Sequence, residues 1–163
     1  MPSTAPTILA YFITWTTYGT WLPGDFRGWI KKNYNGIQRP STKLEQESRA
    51  RMAEDALELT IAQRAIVEKT IRDHCTIRNW PLHAVNARTN HVHVVVTADR
   101  EPNEVTNQLK AWCSRKPSDA AGLTTTVAKK AGRRHWFTED GDKQEIYNEE
   151  FLQNAIKYVL EGQ

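Results

Sequence analysis

In "TNHVHVVV", residues 89–96, two histidines stand two positions apart inside a run of valines. Side chains alternate between faces along a β-strand, so residues i and i+2 project together. His91 and His93 then share one face, while Val92, Val94 and Val96 turn to the other, toward a core. Two imidazoles held this way can bind one metal ion, and their nitrogens suit Mn, Zn, Ni or Fe. Two ligands do not hold an ion, so a third oxygen or nitrogen has to come from elsewhere in the chain. His74, His83 and His135 are available, as are the amides and carboxylates of the last segment. Spacing alone also fits two histidines on a solvated sheet face.

The elements that would carry such a pair follow from the pattern around it. "LHAVNA" (82–87) and "HVHVVVTA" (91–98) read as two strands joined by a turn at "RTN". "ILAYFITWT" (8–16), β-branched and aromatic, predicts an earlier strand. The loop at 17–36 holds four Gly, one Pro, and both Trp21 and Trp29, so turn signals dominate it. Those tryptophans suit either base stacking or a small core internal to the loop. Residues 41–56 have helical propensity without a clear apolar stripe. A stronger helix starts at Thr60, whose pairing with Gln63 makes a capping box, and ends near "RNWP". A further helix is expected over 102–116, with Val105, Leu109, Trp112 and Cys113 as its core stripe and Pro117 as its stop. "HWFTEDGDKQEIY" predicts a hairpin around "EDGD". The last helix begins near Asn148, with Phe151, Ala155 and Val159 as its buried stripe. The order predicts an α+β, ferredoxin-like sandwich with an antiparallel sheet, helices on one face, and a C-terminal helix, all in one domain over 1–163.

Composition narrows the class without deciding it. At 163 residues, with 39% hydrophobic and 25% charged, the chain fits a single globular domain with a proper core. No apolar run approaches a membrane span, and the opening "MPSTAPTILAYF" lacks the marks of an export signal. Cys75 and Cys113 read as buried free thiols of a reducing compartment. A net charge of +3 permits a polyanionic partner without requiring one. The basic residues gather at 31–32, 114–116 and 129–135.

"LHAVNARTNHVHVVV" resembles the histidine–hydrophobic–histidine strand of the single-tyrosine HUH transposases, including the REP-associated tyrosine transposases. "AIKYVLEGQ" resembles their C-terminal helix, which bears a tyrosine followed by an amide, and "YFITWTTYGTWLPGD" resembles the first strand and loop of a subset of them. The likeness covers about residues 8–163. It implies a bacterial, cytoplasmic, nucleoid-associated enzyme that nicks and rejoins single-stranded or hairpin DNA, acting as monomer or homodimer. It also implies a divalent ion, Mg or Mn, on His91, His93 and an amide or carboxylate of the last helix. Tyr158 would be the nucleophile, forming a 5′-phosphotyrosine link. Gln163 is the amide named by the likeness, but it follows the tyrosine by five residues, where relatives often have four. On a continuous helix it points about 140° away from Tyr158, which leaves Asn154 and Glu161 as alternative ligands. Lys110, Arg115, Lys116 and Trp21 are the expected DNA contacts. Tyr147, at a strand end, is the rival nucleophile. The other classes compatible with the sequence are a catalytically silent nucleic-acid-binding module and a small metal-dependent hydrolase.

Overall fold

The computed structural model describes residues 6–30, 36–52, 55–120, 136–138 and 141–161. β-branched and aromatic residues in partial alternation in "AYFITWT" suit a strand, and Ala10–Thr16, β1, buries Tyr11, Ile13 and Trp15 on one face. Its neighbours in the main sheet are β4 (Leu82–Ala87), β5 (His91–Val96) and β6 (Asp142–Ile146). The strands run β4-β5-β1-β6, every pair antiparallel. A second, two-stranded ribbon pairs β2 (Trp29–Ile30) with β3 (Ile37–Gln38), so the loop after β1 holds a short regular element.

Among the described residues there are four helices: α1 (Thr42–Ala50), α2 (Ile61–Arg78), α3 (Pro102–Ala120) and α4 (Glu149–Glu161). Strand, helix, two strands, helix, strand is the order of a ferredoxin-like sandwich, and the four-stranded antiparallel sheet has its spatial arrangement. Thr60 caps α2 in a complete capping box, and Asn79 ends it in the left-handed conformation just before Trp80 and Pro81.

The two faces of the sheet bury two separate cores. Ile13, Trp15, Val92, Val94 and Val96 pack with Val67, Ile71 and Cys75 of α2 and with Val105, Leu109 and Cys113 of α3. On the opposite face, Ala10, Ala84, Val95 and Ile146 pack with Leu152, Ala155 and Val159 of α4. Both cysteines are buried and free.

Four local expectations change. "EDGD" does not fold residues 136–146 into a hairpin. Phe137 bridges Thr17 and Asp142 pairs with Thr14, so both flanking pieces lie antiparallel along the side of β1 away from β5. Proline at 117 does not stop α3, which reaches Ala120, because a proline removes one helical hydrogen bond without removing the rest. Trp112 is not core. It is 36% exposed at the margin of the stripe, with the Arg115 guanidinium 4.7 Å above its ring. In α4 the stripe runs through Leu152 rather than Phe151, which is exposed.

Candidate functional site

Cross-strand register lays one polar row across the sheet. Asn86 faces His93, His93 faces Thr14, and Thr14 faces Asp142. Directly paired residues share a face, so this row adjoins the apolar rows that α4 covers. The helix thus roofs half of the face, and the histidines lie at the boundary between its apolar and polar halves.

Both histidines point to this side, as the alternation requires. Their ring centroids are 4.7 Å apart at 74°. Asn90, in the turn before β5, has Oδ1 2.7 Å from His91 Nδ1. A carboxamide oxygen only accepts, so Nδ1–H of His91 is the donor in this bond. His93 is 5% exposed, and its Nδ1 lies 2.8 Å from Thr14 Oγ1. Partners of this kind, on the far nitrogen of a ligating imidazole, fix its tautomer and orientation. The pair is therefore suited in donor chemistry to two of the ligands of a divalent ion.

Tyr158 comes to the same place from the other end of the chain. Its ring centroid is 5.6 Å from that of His93 and 5.9 Å from that of Phe12, and Phe12 is itself 5.9 Å from His93. Phe12 thus packs against both rings. Tyr158 is 45% exposed, on the edge of the stripe Leu152, Ala155, Val159. A phenol so placed has its ring seated and its face open to solvent.

The remaining expected residues divide clearly. Gln163 lies outside the described residues, as does His135. Asn154 and Glu161 are exposed on α4, and among the described residues no three His, Cys, Asp or Glu side chains form a metal-binding group. His83 is occupied with Thr97 Oγ1 at 2.8 Å, and His74 is buried between α2 and α3, with Nε2 2.9 Å from Gln108 Oε1. Tyr147 pairs its hydroxyl with Glu145, which raises its pKa above the ordinary phenol value. Glu145 faces Tyr11 in register, on the sheet face away from the histidines. Burial pushes the Cys75 thiol up to about 11 and Cys113 higher still, so neither is a ready nucleophile.

Lys110 donates to the Thr138 carbonyl at 2.8 Å, and the Thr138 hydroxyl meets that of Thr16, the cross-strand neighbour of His91. It therefore ties the 136–138 segment to α3. Arg115 stacks on Trp112, while Lys116 lies in α3 without a described side chain. Trp21 donates Nε1–H to the Gly28 carbonyl, and the Arg27 guanidinium lies 3.9 Å from its ring. Arg27 is also bonded to Asp25, holding that carboxyl below the ordinary carboxylate range against the opposing effect of burial. The loop thus has a small core of its own, and it occupies one face of Trp21. Phe12, Thr14, Asn86 and Asn90 are site residues that sequence reading missed. Strand parity offered a signal for Phe12 and Thr14, which alternate with Tyr11, Ile13 and Trp15.

No protein-family model and no curated protein matches the chain. Among solved structures it is similar to a REP-associated tyrosine transposase bound to a REP hairpin, at TM-score 0.47 and 12% identity. That match covers 98% of this chain and 70% of the other. It is also similar to a candidate transposase from Deinococcus radiodurans R1, at TM-score 0.45 and 13% identity, covering 100% of this chain and 96% of that one.

Proposed function

We propose that this chain is a transposase-like single-strand DNA endonuclease and strand transferase with Tyr158 as its nucleophile. The observation that carries this reading is the convergence of His91, His93 and Tyr158, with ring centroids 4.7 and 5.6 Å apart in succession, from elements about 65 residues apart in sequence. Core packing does not require an exposed phenol beside paired imidazoles.

The Tyr158 oxygen attacks the phosphorus of a backbone phosphodiester. A tyrosyl O–P bond forms, the P–O3′ bond breaks, the phenol proton passes to solvent, and the departing 3′ oxygen takes one up. The product is a 5′-phosphotyrosine and a free 3′-hydroxyl. An aryl phosphodiester keeps a good leaving group, so the reverse attack by a 3′-hydroxyl rejoins strands without an energy-rich cofactor. His91 and His93, through Nε2, would hold a divalent ion, Mg or Mn, together with a third donor for which Gln163 is the candidate. Such an ion, when bound, offsets the negative charge that develops on the phosphoryl oxygens. Asn90 and Thr14 keep the two imidazoles turned for that role. The preferred DNA is single-stranded or hairpin-shaped, recognised mainly through its backbone with a few exposed bases.

The test is a labelled oligonucleotide incubated with protein and Mn, then resolved under denaturing conditions. Wild type is expected to form a covalent adduct that disappears in Tyr158→Phe and on chelation. An adduct that survives Tyr158→Phe removes Tyr158 as nucleophile. Oligonucleotide binding with no adduct under any metal leaves a binding module without chemistry.

A further inference from the structure

We propose that Asn86 is a positioning residue that clamps the last turn of α4 to the histidine strand and thereby sets where Tyr158 stands. This rests on the nucleophile assignment above. The last carbonyls of a helix lack intrahelical donors. Val159 lies in the last described turn of α4, and its carbonyl takes a donor from outside the helix. Asn86 Nδ2 donates to it at 2.9 Å. The donor comes from β4, a different part of the chain, and the bond is partly buried.

Three placements make this bond more than a satisfied cap. Asn86 lies directly opposite His93 in the β4–β5 register. Val159 adjoins Tyr158 and is fully buried in the smaller core. Asparagine is disfavoured in strands, and β4 is otherwise "LHAV·A", so the amide is locally costly where it stands. One side chain thus links the backbone beside the nucleophile to the strand position beside the imidazole. Apolar packing through Leu152 and Ala155 holds the helix down but leaves it able to slide or roll. A directional hydrogen bond at its end does not. Displacements of about 1 Å at a reacting group can cost on the order of a hundredfold in rate.

Asn86→Ala removes the donor, and Asn86→Asp sets a carboxylate oxygen against the carbonyl. Two readouts follow. Amide hydrogen exchange in the last turn of α4 is expected to rise about tenfold or more in both variants, with the first turn unchanged. Single-turnover adduct formation is expected to fall about tenfold to a hundredfold, with oligonucleotide Kd and Mn affinity as in wild type. Leu109→Ala, which lowers stability from the other core, is the comparator. If it loses as much rate at equal loss of Tm, Asn86 acts only through stability and the proposal is overturned. Unchanged exchange in the last turn overturns it as well. If wild type forms no Tyr158 adduct, the proposed function falls, while exchange alone still decides whether Asn86 clamps the helix.

Discussion

At His93 the decisive detail is its far nitrogen. Thr14 Oγ1 sits 2.8 Å from Nδ1, so the hydroxyl orients the ring whose Nε2 is assigned to the ion. Thr14→Val keeps the shape and removes the oxygen. We expect Mn affinity, measured by calorimetry, to fall about tenfold to a hundredfold, the usual cost of losing such a partner. Affinity equal to wild type would show that Thr14 does not orient a ligand. Tyr147 makes the complementary case. Its phenol is pushed above the ordinary value by the Glu145 carboxylate, which disfavours the phenolate needed for attack. Tyr147→Phe is therefore expected to leave adduct formation within about twofold of wild type. Strand period put His91 and His93 on one face and helix period put Tyr158 at the edge of the last helix's stripe, as the structure has them, while a role for Tyr158 came only from the resemblance. Parity puts Phe12 and Thr14 on the face opposite Tyr11, Ile13 and Trp15, but which residues they and Asn86 meet depends on which strand lies opposite. No local pattern encodes that register.

The elements show the same division between local and non-local information. Capping at Thr60, the turn at "RTN" and alternation in β1 and β5 were all readable, because neighbouring residues determine them. The 136–146 segment was misread as a hairpin, because its described pieces pair with β1 rather than with each other. Gly141 marks where this segment lies close to the site. It has φ +155°, and a Cβ there would stand 2.6 Å from the carbonyl oxygen of Thr14, a backbone atom that cannot swing aside. Gly141→Ala is expected to lower Tm and to weaken Mn binding, since moving Thr14 moves the partner of His93. Intact metal affinity in a folded Gly141→Ala protein would uncouple that segment from the site.

The loop after β1 yields a prediction in acid. Asp25 has its pKa lowered by hydrogen bonds from Arg27, so the native loop gains from the ionised form. That gain is fully present above the ordinary carboxylate range and is lost as pH falls through the depressed value. Trp21, beneath the same guanidinium, is the reporter. Its contribution to fluorescence, isolated by comparison with Trp21→Phe, is expected to change in that acid window. Asp25→Asn should abolish the transition, and a transition that persists in Asp25→Asn would assign it to another group.

Over the whole molecule, two cores back one sheet and carry different burdens. The larger, with α2 and α3, buries the valines between and beyond the histidines and fixes the strands. The smaller, under α4, fixes only the relation of Tyr158 to the histidine face. Fold and site should therefore fail separately. Leu109 is fully buried in the larger core, and Leu109→Ala is expected to cost about 2–5 kcal/mol of unfolding free energy. Adduct formation should stay near wild type at temperatures where that variant remains folded. Leu152 is slightly exposed in the smaller core, so Leu152→Ala is expected at the lower end of the same range. It loosens the helix that carries Tyr158, so its adduct rate should fall further than its Tm loss accounts for. Measuring Tm and single-turnover rate for both variants decides the matter. Equal rate losses at equal stability would mean that the sheet and its two layers act as one unit. Divergence in the expected direction would place stability in the layer of α2 and α3, and the geometry of the reaction in the layer of α4.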